Sequence, residues 1–124
     1  MELISKRYAD TVVVCPQGRI DHASAEGFKA ALGPSVSACG AGRDRLVIDM
    51  AGVEYISSVG LRVLMLASKQ TKAQGAPLAV CELQPVVREI FEISRFNLVI
   101  QVFPSLREAL AALSTEALAA FEAA

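Results

Sequence analysis

The spacing of apolar positions changes several times along this chain of 124 residues, and each change marks an element. Leu3 to Tyr8 and Thr11 to Cys15 are short β-rich segments separated by Ala9-Asp10, which predicts an antiparallel hairpin. Gln17-Gly18-Arg19-Ile20-Asp21 reads as a loop closing on an N-cap aspartate. The helix after it carries Ala25, Phe28, Leu32 and Val36 at three- to four-residue steps. Gly33-Pro34 is expected to kink or interrupt that helix, because proline lacks an N–H and crowds the preceding turn. The chain turns at Gly40-Ala41-Gly42, and Leu46-Val47-Ile48 is the continuous apolar run of a strand covered on both faces.

A loop then leads into a helix from about Ser57 to Gln74, the turn Gly75-Ala76-Pro77 and a second buried strand, Leu78 to Cys81. Gln84-Pro85 opens a short helix with proline where its missing N–H is harmless, and Val87, Ile90 and Phe91 form its core stripe. Leu98 to Phe103 reads as the last strand. Ser105 and Glu108 have the spacing of a capping box at the head of a final helix whose apolar face is Leu106, Leu110, Leu113 and Ala117. The Ala-rich stretch from Ala117 to Ala124 is expected to fray. The order β-β-α-β-α-β-α-β-α predicts one α/β domain over residues 1–124. About four helices should cover a mixed, mostly parallel sheet, with the N-terminal hairpin as its antiparallel edge.

Composition narrows the function. With 53% hydrophobic and 20% charged residues, the chain has ample material for a packed core. No apolar run approaches the roughly 20 residues of a membrane span. The start, MELISKRYAD, lacks the basic and apolar regions of a secretory signal, so a cytoplasmic protein without direct membrane insertion is expected. Twelve basic against 13 acidic residues, no basic block and no Trp offer little to a phosphate backbone, and nucleic-acid binding is not expected. Cys15, Cys39 and Cys81 lack the CxxC spacing of a zinc or redox site and read as buried reduced thiols.

Catalytic machinery is not evident either. The single histidine, His22, lies beside Asp21 at a helix start and reads as a surface or capping residue. Neither a GxSxG nucleophile elbow nor a phosphate loop ending in GK[ST] is present. No cofactor and no metal are implied.

The head of the Ser57–Gln74 helix carries two adjacent hydroxyls. A helical wheel puts Gly60, Val63, Leu64 and Ala67 together against the sheet, and Ser58, Leu61, Arg62, Met65 and Lys69 on the opposite side. Leu61 and Met65, rimmed by cations, then resemble a docking surface. The free N–H groups and positive dipole of a helix start would hold a phosphate on Ser58 well. That group would add about 1.5 to 2 negative charges, which a partner covering the site would have to desolvate. Serine near an N-cap is equally explained by capping alone, so residue chemistry leaves both roles open.

The stretch VIDMAGVEYISSVGLRVL, from Val47 to Leu64, together with Gly18-Arg19-Ile20-Asp21 and Ser105-Leu106-Arg107-Glu108-Ala109-Leu110, resembles the STAS domain of bacterial anti-sigma factor antagonists over almost the whole chain. In that family the phosphoacceptor is a serine or threonine at the start of this helix, two residues before a Gly-Leu pair. The resemblance therefore implies Ser58 as the modified residue, with the adjacent Ser57 as the alternative. Many relatives have aspartate where this chain has Ser57. The resemblance further implies a partner that is both anti-sigma factor and ATP- and magnesium-using serine kinase, a phosphatase that restores binding, and a chain that is ligand and substrate rather than catalyst. Asp21 would flank the same surface as Ser57, Leu61, Arg62, Met65 and Lys69. A STAS subunit or scaffold of a membrane transport system, not gated by phosphorylation, is the alternative.

Overall fold

The computed structural model describes residues 3–124. Strand β1 (Ile4–Tyr8) turns through Ala9-Asp10 into β2 (Thr11–Cys15), with Tyr8 opposite Thr11 in antiparallel register. Ala9 takes a φ of 54°, the left-handed conformation that matches a two-residue turn to the twist of its strands. From β2 the sheet continues in parallel through β4 (Arg45–Asp49), β6 (Ala79–Cys81) and β7 (Gln101–Phe103), giving five strands in the order β1-β2-β4-β6-β7. The apolar runs of β4 and β6 are buried on both faces, as expected for the centre of such a sheet.

Two segments expected as loops are strands. β3 (Gly18–Ile20) and β5 (Val53–Ile56) pair in parallel as a separate two-stranded ladder, with Gly18 opposite Val53 and Ile20 opposite Ile56. They escape a periodicity reading because each is three or four residues long and carries a charge, Arg19 or Glu54, on its outward side. The ladder delivers the chain to the starts of helices α1 (Ala25–Ala38) and α2 (Ser58–Ala73).

Pro34 neither interrupts nor ends α1, which runs on to Ala38. Proline removes one hydrogen bond, while the stripe Ala25, Phe28, Leu32 and Val36 is buried on both sides of it. The far end of α1 is tied to α2, where Gln74 Nε2 donates to the Val36 carbonyl at 2.9 Å. Together with α3 (Pro85–Ile93), these helices enclose the larger core, which includes Phe28, Leu32, Ile48, Leu64 and Phe91. At about 1.5 to 3 kcal/mol for each large apolar side chain buried, this layer supplies most of the driving force for folding.

The other face of the sheet is covered by α4 (Leu106–Leu113) and α5 (Thr115–Ala123), which bury Val13, Val47 and Cys81 beneath Ala109, Leu110 and Ala117. The expected final helix is thus two helices, and there are five in all among the described residues. Ser114 makes the break. With φ −161° and ψ 115° it leaves helical geometry, accepts from the Ala117 N–H at 3.1 Å and donates to Asp10 Oδ1 at 2.7 Å. The Ala-rich stretch does not fray: α5 continues to Ala123, and Phe121 packs edge-on against Tyr8 at 5.4 Å. The expected strand from Leu98 to Phe103 is also shorter. A 3₁₀ turn at Phe96–Leu98, entered through Arg95 at φ 58°, precedes β7.

Candidate functional site

The head of α2 is seated on the β3–β5 ladder. A methyl group on Gly60 would come within 2.8 Å of both Ile20 Cγ2 and Ile56 Cγ1, and within 3.1 Å of the Ile20 carbonyl. Only a residue without a side chain lets the helix approach both strands this closely. The Ser57 N–H donates to the same Ile20 carbonyl at 2.8 Å, fixing the residue before the helix.

The two hydroxyls are used differently. Ser57 is the N-cap: its Oγ accepts from the Gly60 N–H at 3.2 Å, and its carbonyl accepts from the Leu61 N–H at 2.9 Å. Aspartate and serine cap about equally well, so Ser57 supplies the cap without the charge an aspartate would add. Ser58, the first residue of α2, is exposed, and its hydroxyl has no hydrogen-bond partner among the described residues.

Beside Ser58 lies an open groove of about 410 Å³, lined by Ser58, Val59, Leu61, Arg62, Met65 and Phe96. Leu61 does not face outward as the helical wheel predicts. Leu61 is 9% exposed and belongs to the core, and Met65 is half-buried against it. Leu61 sits at the rim of the sheet-facing arc, and Phe96 lines the same groove and belongs to the same core. The ring of Phe96 is itself held edge-on to Phe91 at 5.2 Å. The exposed large apolar residue of α2 is instead Leu66, at 42%, on the side facing α1. Arg62 and Lys69 are exposed as expected, but only Arg62 lines the groove. With Lys72 they leave α2 with three cations and no carboxylate.

Asp21 is brought to the same end of the ladder, since it follows Ile20 just as Ser57 follows Ile56. Its carboxylate is committed to the start of α1, where Oδ1 accepts from the N–H groups of Ala23 and Ser24, both at 3.1 Å. The Ser24 backbone N–H, aided by the Ala23 N–H and the charge of Arg19, holds this carboxyl below the usual carboxylate range. Arg19, in a segment expected as a loop, stacks over the Tyr55 ring at 4.4 Å and reaches Asp21 at 3.9 Å. Phe96 was missed as well. It lies far from the serines in sequence, and no motif links it to them. His22 is exposed in the turn after Asp21. Of the three free cysteines, Cys39 and Cys81 are buried but Cys15 is only half-buried, and burial pushes all three thiols up.

The sequence profile of the STAS domain matches residues 2–109. The chain belongs to the STAS domain family. Over 115 residues, 93% of this chain and 97% of its relative, this STAS domain is 39% identical to BtrV of Bordetella bronchiseptica, a protein named as an anti-sigma factor antagonist. A crystal structure of an anti-sigma factor antagonist from Mycobacterium paratuberculosis superposes with a TM-score of 0.79 at 25% identity, covering 90% of this chain and 92% of that one. The Bacillus cell fate determinant SpoIIAA, solved in its phosphorylated form, shares the fold with a TM-score of 0.64 at 16% identity, covering 90% of this chain and 99% of that one. Within the STAS family, this chain falls among the anti-sigma factor antagonists. No helix among the described residues is long and apolar enough to cross a membrane.

Proposed function

We propose that this STAS domain is a phosphorylation-gated switch acting in the cytoplasm. Unmodified, it binds an anti-sigma factor that is also a serine kinase, and the sigma factor is released. Phosphorylation of Ser58 by that kinase weakens the complex, and a serine phosphatase restores it. The chain is substrate and ligand in this cycle, not catalyst. The observation that carries the reading is the contrast at the head of α2, where Ser57 is engaged as the cap and the Ser58 hydroxyl is exposed and unpartnered beside a groove. A phosphate there meets a helix start, where an anion is favoured, without displacing a hydrogen bond of the fold. On Ser57 the modified oxygen would be the one that accepts from Gly60.

A partner covering the groove would touch Ser58, Arg62 and Met65, with Leu61 supplying the apolar floor. Asp21, Ser57 and Lys69 would lie at the margins. About 1.5 to 2 added charges must then be desolvated or repelled. A coupling of about 1 to 3 kcal/mol, the usual range for such switches, lowers affinity by about 5- to 150-fold.

Intact-mass and phosphopeptide analysis of protein purified from its native cells, with Ser57→Ala and Ser58→Ala beside the wild type, tests the assignment. Phosphate is expected on wild type and on Ser57→Ala and absent from Ser58→Ala; the reverse pattern moves the site to Ser57. Capture of a kinase that Ser58→Asp abolishes supports the antagonist reading. Capture of a membrane transport complex, indifferent to that change, replaces it with the transporter-subunit reading.

A further inference from the structure

Ser58 and Arg62 are four residues apart on α2 and line the same groove, so they are neighbours on one helix face. The ion pairs of the described residues engage Arg7, Arg19, Arg45 and Arg107, and Arg43 donates to backbone carbonyls. Arg62, Arg88 and Arg95 have no such partner among the described residues, and of these three Arg62 alone lines the groove beside Ser58. Neither α2 nor the groove lining supplies a carboxylate to it. The groove thus holds an unpaired guanidinium one turn from the free hydroxyl, above the apolar side chains of Leu61 and Met65.

We propose that Arg62 is the internal counter-ion of a phosphate on Ser58: it pairs with the phosphoryl oxygens across one helical turn and is thereby withdrawn from the face offered to a partner. This rests on Ser58 being the phosphorylated residue, as proposed above. The polarity of the pair is the favourable one, with the anion N-terminal to the cation at i, i+4. The planar fork of arginine also matches two phosphoryl oxygens at once. Modification then changes the face twice over: a dianion arrives, and the cation that rimmed the groove is occupied by it. No bond of the fold is broken in the process, so the isolated protein tolerates the modification.

The test uses full-length protein with phosphoserine installed at position 58 during translation, so that neither kinase nor partner is needed. Phosphorus NMR is followed through a pH titration in the wild-type background and in Arg62→Gln, Arg62→Lys and Arg95→Gln, the last removing the cation next to Phe96 in sequence. With Arg62 in place, the second ionisation of the phosphate is expected several tenths of a pH unit below that in Arg62→Gln. Arg62→Lys should recover part of the shift, and Arg95→Gln should leave it unchanged. Equal midpoints in wild type and Arg62→Gln overturn the proposal, as does a shift that follows Arg95→Gln instead. Because the phosphate is installed, such a result counts against Arg62 alone. Whether cells phosphorylate Ser58 is decided separately by the mass analysis above.

Discussion

β3 and β5 lie side by side and each hands the chain to a helix, but the polar groups at the two junctions serve opposite ends. At the start of α1 the circuit is closed. Asp21 accepts from Ala23 and Ser24, and the Ser24 hydroxyl, which accepts from the Asp21 N–H at 3.0 Å, donates in turn to the Arg19 carbonyl at 2.9 Å. At the start of α2 a single serine does the capping, and the next one is left over. A polar side chain that fixes the backbone is not available to a second molecule. One standing idle at a defined position, beside a groove, is free for chemistry.

Substitutions can break this contrast in graded steps. The largest effect is expected from Leu61→Ala, which removes a buried side chain from the floor of the groove and should cost about 2 to 5 kcal/mol in urea or thermal unfolding. Loss of partner binding in that variant would therefore have to be compared at matched stability. Ser57→Ala takes away the cap and should cost about 1 kcal/mol, with Ser57→Asp restoring it. The contribution of Asp21 is present at neutral pH, and its pH dependence is confined to acid. Its carboxyl titrates lower in the folded chain than in the unfolded one, so the stabilisation is complete above pH about 4 and is lost as pH falls through the folded value. Asp21→Asn should accordingly lower stability at neutral pH and converge with wild type as pH falls through the folded value, which flattens the acid limb of the stability profile. The smallest change belongs to Ser58→Ala, expected within about 0.5 kcal/mol of wild type because no hydrogen bond is lost. A destabilisation comparable to that of Ser57→Ala would show that Ser58 has a structural role after all.

What the sequence revealed follows the range over which each signal acts. The hairpin, the apolar runs of β4 and β6 and the span of α2 are written in contiguous residues, and they stand where periodicity puts them. The β3–β5 ladder is not, because two short segments with outward charges become strands only by pairing across the intervening α1 and β4. The two serines were visible as a pair, whereas their division of labour depends on which hydroxyl points at the Gly60 N–H, which spacing cannot tell. The wheel failed at Leu61 for a similar reason. It knows one helix and one facing surface, and Phe96 joins the same groove and core from a distant turn. The division of the last helix was present as a capping residue at Ser114 but masked by the continuous run of helix formers around it.

Gly60 also governs how far news of a modification can travel. With no space for even a methyl group between its Cα and the side chains of Ile20 and Ile56, the first turn of α2 is packed tightly against both strands of the ladder. A phosphate on Ser58, as proposed, would then be inscribed on the outside of the molecule. In the proposed cycle the domain would carry its message like a stamp on an envelope, legible to whatever handles it, while the contents stay as they were.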